Sequence, residues 1–120
     1  MAEVVAEVAD VRPTLVDRKQ IAEEVWLTLG VIADDLFDVS RSIYCFENAL
    51  RVNTFSYFAL DALGHLYEHI SRFDKMQEVL QRMLTLNPTD GAGWVRLGHA
   101  CLMLEDLSSS YTSYHKGISL

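Results

Sequence analysis

Three Leu-Gly dipeptides, Leu29-Gly30, Leu63-Gly64 and Leu97-Gly98, stand 34 residues apart. A fixed period of this size constrains the fold more than any single motif, because it makes the chain an array of one supersecondary unit repeated in space. Other columns keep the same spacing. Trp26, Leu60 and Trp94 lie four residues before each glycine, and Ala33, Tyr67 and Cys101 three residues after it. Further on come Phe46, Leu80 and Tyr114, then Leu50, Leu84 and Ile118, then Val52, Leu86 and Leu120. No insertion separates the copies, so each unit meets its neighbour in the same way.

A 34-residue unit reading W-x2-L-G-x2-(Y/A)…F…P resembles the tetratricopeptide repeat, a pair of antiparallel helices that cannot bury its apolar face without a neighbour. The expected fold is an all-α helical-hairpin solenoid of three repeats, 23–56, 57–90 and 91–120, the last truncated. It has six helices in three hairpins and no strand. Residues 1–22 precede the repeat register and are read as a lead-in, a candidate capping helix: Val4, Val5, Val8 and Val11 have helical spacing, interrupted at Arg12-Pro13.

Composition narrows the function. The chain has 120 residues, half of them hydrophobic, enough for one compact domain. Its net charge of −7 repels phosphate and disfavours direct nucleic-acid binding. Cys45 and Cys101 are far apart and outside any metal-spaced cluster, which fits free thiols in a reducing compartment. The acidic N-terminus, with Glu3, Glu7 and Asp10, does not resemble a signal peptide, and no apolar run reaches membrane-spanning length. Nucleus is the expected location, cytoplasm the alternative.

Gly30, Gly64 and Gly98 fall inside the first helix of each pair, where glycine costs about 1 kcal/mol relative to alanine. Close approach of the partner helix is the expected compensation, so a bulky side chain at Gly64 should overpack its hairpin. Ser42 and Ser110 hold the matching small position on the second helix, whereas repeat two has Met76, which should widen or tilt that pair. Asn87-Pro88 marks the turn after the second helix of repeat two.

Four features bear on chemistry. His65-Leu66-Tyr67-Glu68-His69 spells H-x-x-E-H, the string of inverted zincins. A catalytic zinc needs three protein ligands, however, and nothing in the sequence commits a third, so a zinc hydrolase is only a remote alternative and no metal, cofactor or catalytic residue is assigned. His65 and His99 follow Leu-Gly in successive repeats and could form a ladder on the inner face. Ser108-Ser109-Ser110, Thr112 and Ser113 are poor helix formers read as helix surface without a phosphorylation context. Glu23-Glu24, Asp34-Asp35 and Glu105-Asp106 are solvated charges in the main.

In the tetratricopeptide family the first helices line the concave side. The resemblance thus places Leu27, Val31, Asp34, Asp61, His65, Glu68, Val95, His99 and Leu102 in a partner-binding groove. That groove is apolar and acidic, with Arg96 the one nearby cation, and it lacks the lysines with which chaperone adaptors of the family clamp a peptide carboxylate. An amphipathic helix with an apolar stripe and basic flanks suits it better.

The stretch from Trp26 to Ile118 resembles the tetratricopeptide subunits of fungal general transcriptional corepressors, above all in Leu97-Gly98-His99-Ala100-Cys101-Leu102-Met103-Leu104-Glu105-Asp106-Leu107 and in Ala62-Leu63-Gly64-His65-Leu66-Tyr67. This resemblance implies a non-enzymatic adaptor. Its leading repeats would hold a helical segment of a Tup-type WD40 corepressor, with DNA-bound repressors as further partners, and a generic scaffold of another intracellular complex is the alternative. Leu107, Tyr111, Tyr114 and Ile118 form an apolar stripe on the last helix that points to self-association there.

Overall fold

The computed structural model describes residues 14–120. Six helices account for nearly all of them: α1 (Leu15–Asp35), α2 (Val39–Val52), α3 (Tyr57–His69), α4 (Phe73–Leu86), α5 (Gly91–Met103) and α6 (Leu107–Ser119). They pair as three hairpins, α1–α2, α3–α4 and α5–α6, and the second helix of each hairpin packs on the first helix of the next. Residues 1–13 of the lead-in lie outside the described residues. Its remaining residues from Leu15 on run without a break into the first repeat helix, making α1 longer than any other element.

Local chemistry sets the ends. Thr14 and Asp17 form a reciprocal capping box at the start of α1. Asp38, Ser56, Asp90 and Asp106 cap α2, α3, α5 and α6 by accepting from the backbone N–H three residues on. Inside each hairpin the chain turns through a left-handed residue, Phe37, Ser71 or Glu105, again 34 apart. The next residue donates back to the preceding helix, Asp38 N–H to the Ala33 carbonyl, Arg72 to Tyr67 and Asp106 to Cys101, at 2.8–2.9 Å. These are Schellman closures built without glycine.

The core runs along the hairpin stack and is centred on Leu60, Leu63, Met76, Leu80 and Met83, all essentially inaccessible. In the outer hairpins the glycine of the first helix sits under an aromatic ring. An added Cβ would fall 2.8 Å from the Phe46 ring at Gly30 and 2.9 Å from the Tyr114 ring at Gly98. The partner serine completes the contact: Ser42 Oγ donates to the Gly30 carbonyl at 2.8 Å and Ser110 Oγ to that of Gly98 at 2.9 Å. Ser110 and Ser113 are therefore buried, and of the serine run only Ser108 is fully surface.

The middle hairpin is built differently. Met76 is fully buried where the serine would stand, and α3 and α4 are packed less closely than the outer pairs. At Gly64 a Cβ would meet Leu80 at an ordinary 3.5 Å, but Arg96 Nη2 at 2.7 Å. The expectation that Gly64 makes room for its own hairpin partner is thus corrected: it makes room for a guanidinium from the next hairpin. Met83, large at an alanine-like position, is accommodated by Gly93, whose Cβ would lie 3.1 Å from the Met83 methyl. Gly117 lets α6 cross close to Gly91, whose carbonyl would lie 2.8 Å from a Cβ there.

Polar contacts pin one hairpin to the next. The Tyr67 hydroxyl donates to Glu47 at 2.6 Å, and burial together with that carboxylate pushes the phenol far above its ordinary range. Tyr57 donates to Asp90 at 2.6 Å, which helps hold the Asp90 carboxyl below the usual aspartate value.

The aromatic lids make a double test. Gly98→Ala should cost about 1–3 kcal/mol by overpacking against Tyr114. Tyr114→Leu, which copies the Gly64–Leu80 pair, should recover much of that loss in the double variant. Denaturant titration of the four proteins measures the coupling, and strictly additive losses would contradict the packing described.

Candidate functional site

Successive first helices, α1 and α3, border a cleft of about 670 Å³. Its apolar floor includes Val31, Phe46, Phe58, Ala62 and Leu66, and its rim carries Asp34, Asp35, Asp61, His65 and His69. Phe37, in the turn between α1 and α2, stands beside it. A shallower depression of about 460 Å³ continues along α1 through Leu27, Thr28 and Val31 and shares Phe58.

Of the residues expected in the groove, Val31, Asp34, Asp61 and His65 line the cleft, and Leu27 lines the adjoining depression. Glu68, Val95, His99 and Leu102 line neither. Val95, His99 and Leu102 lie on α5; His99 packs edge-on against Phe73 of α4 with ring centroids 5.9 Å apart, so it serves the contact between hairpins. His65 and His99 therefore sit in different surroundings and form no ladder. Eight cleft residues lie outside that expected set: Asp35, Phe37, Val39, Phe46, Phe58, Ala62, Leu66 and His69. Asp35 and His69 were legible as neighbours of assigned residues on the same helices. Phe37 was not, since its place depends on the left-handed turn.

The charge at Asp61 needs correction. Arg96 of α5 reaches back to it, with Nη1 2.6 Å from Oδ1, and its side chain is largely buried in doing so. Gly64 supplies the space, and the Arg96 Nε is left buried without a partner. His65 Nε2 lies 3.7 Å from the same Asp61 oxygen. Asp61 is thus a bridge between hairpins and not a free groove charge, while Arg96 is committed and does not offer itself to an incoming carboxylate. Net acidity at the rim comes from Asp34 and Asp35, both exposed.

His65 and His69 share the cleft, but among the described residues no three His, Cys, Asp or Glu side chains gather around one point where a metal ion could be held. The H-x-x-E-H string brings two imidazoles together without a third ligand. Cys45 and Cys101 are both free, and burial raises the Cys45 thiol pKa, with Asp38 adding to the effect. Among the described residues no helix is long and apolar enough to cross a membrane.

At the far end, Leu107, Tyr111 and Ile118 are exposed on α6 as expected. Tyr114 is not part of that stripe. Its ring turns inward over Gly98, in the same column as Phe46 and Leu80.

The tetratricopeptide repeat family model matches residues 59–90, from within α3 to the cap of α5. The chain is a tetratricopeptide-repeat protein. Over 100 residues, 83% of its length, this repeat protein is 33% identical to the general transcriptional corepressor trfA of Dictyostelium discoideum. Over 96 residues, 80% of its length, it is 31% identical to the general transcriptional corepressor ssn6 of Schizosaccharomyces pombe. It spans 7% and 9% of those two relatives. Among solved structures, a crystal structure of MamA superposes with a TM-score of 0.79 at 19% identity, over 82% of this chain and 54% of that one. The second tetratricopeptide domain of Spaghetti (RPAP3), bound in its structure to the HSP90 peptide SRMEEVD, superposes with a TM-score of 0.75 at 13% identity, over 87% of this chain and 98% of that one. These two structures establish the hairpin architecture; the repeat protein described here is a protein-interaction domain similar in sequence to general transcriptional corepressors.

The Asp61–Arg96 bridge can be tested by a thermodynamic cycle. Asp61→Ala leaves a largely buried guanidinium without its carboxylate and should cost about 1–3 kcal/mol. Adding Arg96→Met should return part of that loss, because the orphaned charge is gone. Thermal unfolding of the single and double variants checks this, and a double variant as unstable as the sum of the singles would refute the bridge.

Proposed function

We propose that this chain is the partner-binding part of a general transcriptional corepressor subunit, acting in the nucleus as an adaptor and not by catalysis. Its cleft between α1 and α3 receives an amphipathic helix of a Tup-type WD40 corepressor, with DNA-bound repressors as further partners. The observation that carries this reading is an apolar floor, Val31, Phe58 and Leu66, bordered by the exposed carboxylates Asp34 and Asp35. Apolar residues at i, i+3, i+4 and i+7 of the ligand helix would lie on the floor, and its lysines or arginines would meet the rim. The likeness to trfA and ssn6 over four fifths of the chain supports the corepressor assignment.

Phe37 has a part in this. A non-glycine residue in the left-handed region costs roughly 1 kcal/mol or more, and Phe37 carries that cost while the residue is 91% exposed at the cleft. Burial of the ring under a bound helix offsets it.

Titration of a peptide from the N-terminal helical region of a Tup-type partner provides the test. Asp34→Lys with Asp35→Lys should weaken binding about tenfold at low salt and slow association, with a smaller effect as salt is raised. Phe37→Gly should stabilise the fold by about 1 kcal/mol while weakening the same peptide. Unchanged affinity in both variants would place the site elsewhere.

A further inference from the structure

The cleft and the depression that adjoins it share Val31 and Phe58 and make one trough with unlike ends. Asp34 and Asp35, the last two residues of α1, line the cleft together with His69, the last residue of α3. Glu24 and Leu27, further back on α1, line the depression together with Phe58, in the first turn of α3. α1 and α3 therefore run in the same direction along the trough. The span from Glu24 to Asp35 is about 16 Å of helix, so a ligand helix of roughly three turns fits beside it.

The two ends differ in charge in a way that the fold itself does not use. A helix is negative at its C-terminus and is stabilised there by cations. The last turn of α1 has no basic residue and carries two exposed carboxylates instead, a placement that works against α1. The adjacent N-terminus of α2 does not need them. Asp38 already caps it, accepting from the Arg41 N–H at 3.2 Å and pairing with the Arg41 guanidinium at 3.3 Å. At the other end Glu24 is the acid of the lining, and the first turn of α3 lies beside it, the positive end of that helix. The potential along the trough is thus most negative at Asp34 and Asp35.

We propose that the ligand helix lies antiparallel to α1 and α3, its N-terminal turn at Asp34 and Asp35 and its C-terminal turn beside Glu24 and Phe58. This rests on the groove reading above and adds a direction to it. The first four N–H groups of a helix lack intrahelical acceptors, and its N-terminus is positive. Two carboxylates at the rim accept from those N–H groups and meet lysines or arginines in the ligand's first turns. In the opposite direction the same carboxylates would face free carbonyls and the negative end of the ligand's dipole, which repel them. The ligand's apolar stripe covers the floor in either direction, so charge and not packing sets the choice.

Two synthetic peptides of about 14 residues, long enough for the trough, decide the direction. They share one apolar stripe and one composition, and both are acetylated and amidated so that no terminal charge competes. One carries a lysine cluster in its first turns, the other in its last. At about pH 8, above the range in which imidazole gains a proton, the first should bind the wild type roughly tenfold more tightly than the second. Asp34→Asn with Asp35→Asn should bring the two to equal affinity. Thermal unfolding verifies that this variant is folded, and its midpoint should not fall, because the lost carboxylates oppose the α1 dipole. A nitroxide amino acid at the N-terminus of the first peptide should broaden the amides of Asp34, Asp35, Phe37 and His69 most, and one at its C-terminus those of Glu24, Leu27 and Phe58. Equal affinities for the wild type, the reverse broadening pattern, or equal broadening of both ends by both labels overturns the direction and leaves the groove as the site. Failure of both peptides to bind, or broadening confined to other surfaces, overturns the groove reading and the direction with it.

Discussion

Contact between a helix backbone and the side chain above it sets the architecture. Gly30 and Gly98 remove a Cβ so that Phe46 and Tyr114 can lie flat on the helix, and Ser42 and Ser110 then reach the glycine carbonyls at 2.8 and 2.9 Å. Glycine in a helix interior costs about 1 kcal/mol; a buried aromatic ring and a buried hydrogen bond more than offset it. The geometry of each hairpin decides where the next one stacks, so the position of α3 relative to α1, and hence the cleft, follows from these contacts.

The middle hairpin gives up that device and uses its glycine for another purpose. With Met76 in place of serine and Leu80 in place of an aromatic ring, Gly64 is free to admit Arg96 from the next hairpin, which pairs with Asp61 at 2.6 Å. One cation is thereby spent on joining hairpins. What remains at the cleft is an apolar floor with Asp34 and Asp35 beside it, a surface suited to a basic-flanked amphipathic helix.

Much of this was legible in the sequence because a 34-residue period carries both the helix pairs and their order. The columns of Leu29, Leu63 and Leu97 and of Phe46, Leu80 and Tyr114 predict which faces meet, and Tyr114 belonged to the second of these; reading it as part of an exposed stripe overlooked its own column. Two things were out of reach. The Asp61–Arg96 pair joins residues 35 apart, one step off the period, so no column could reveal it. The left-handed turns at Phe37, Ser71 and Glu105 use no glycine or asparagine, the residues that normally announce such a conformation. Phe37 consequently gave no sign of standing beside the cleft.

The central claim, that the α1–α3 cleft is the recognition surface, is most directly tested by mapping amide chemical-shift changes when a basic-flanked amphipathic helical peptide is added to the labelled protein. The account predicts that the largest changes cluster at Val31, Asp34, Asp35, Phe37, Phe58, His65 and His69, with α6 little affected. Changes concentrated on α2, α4 or α6, with those residues unmoved at saturating peptide, would contradict it.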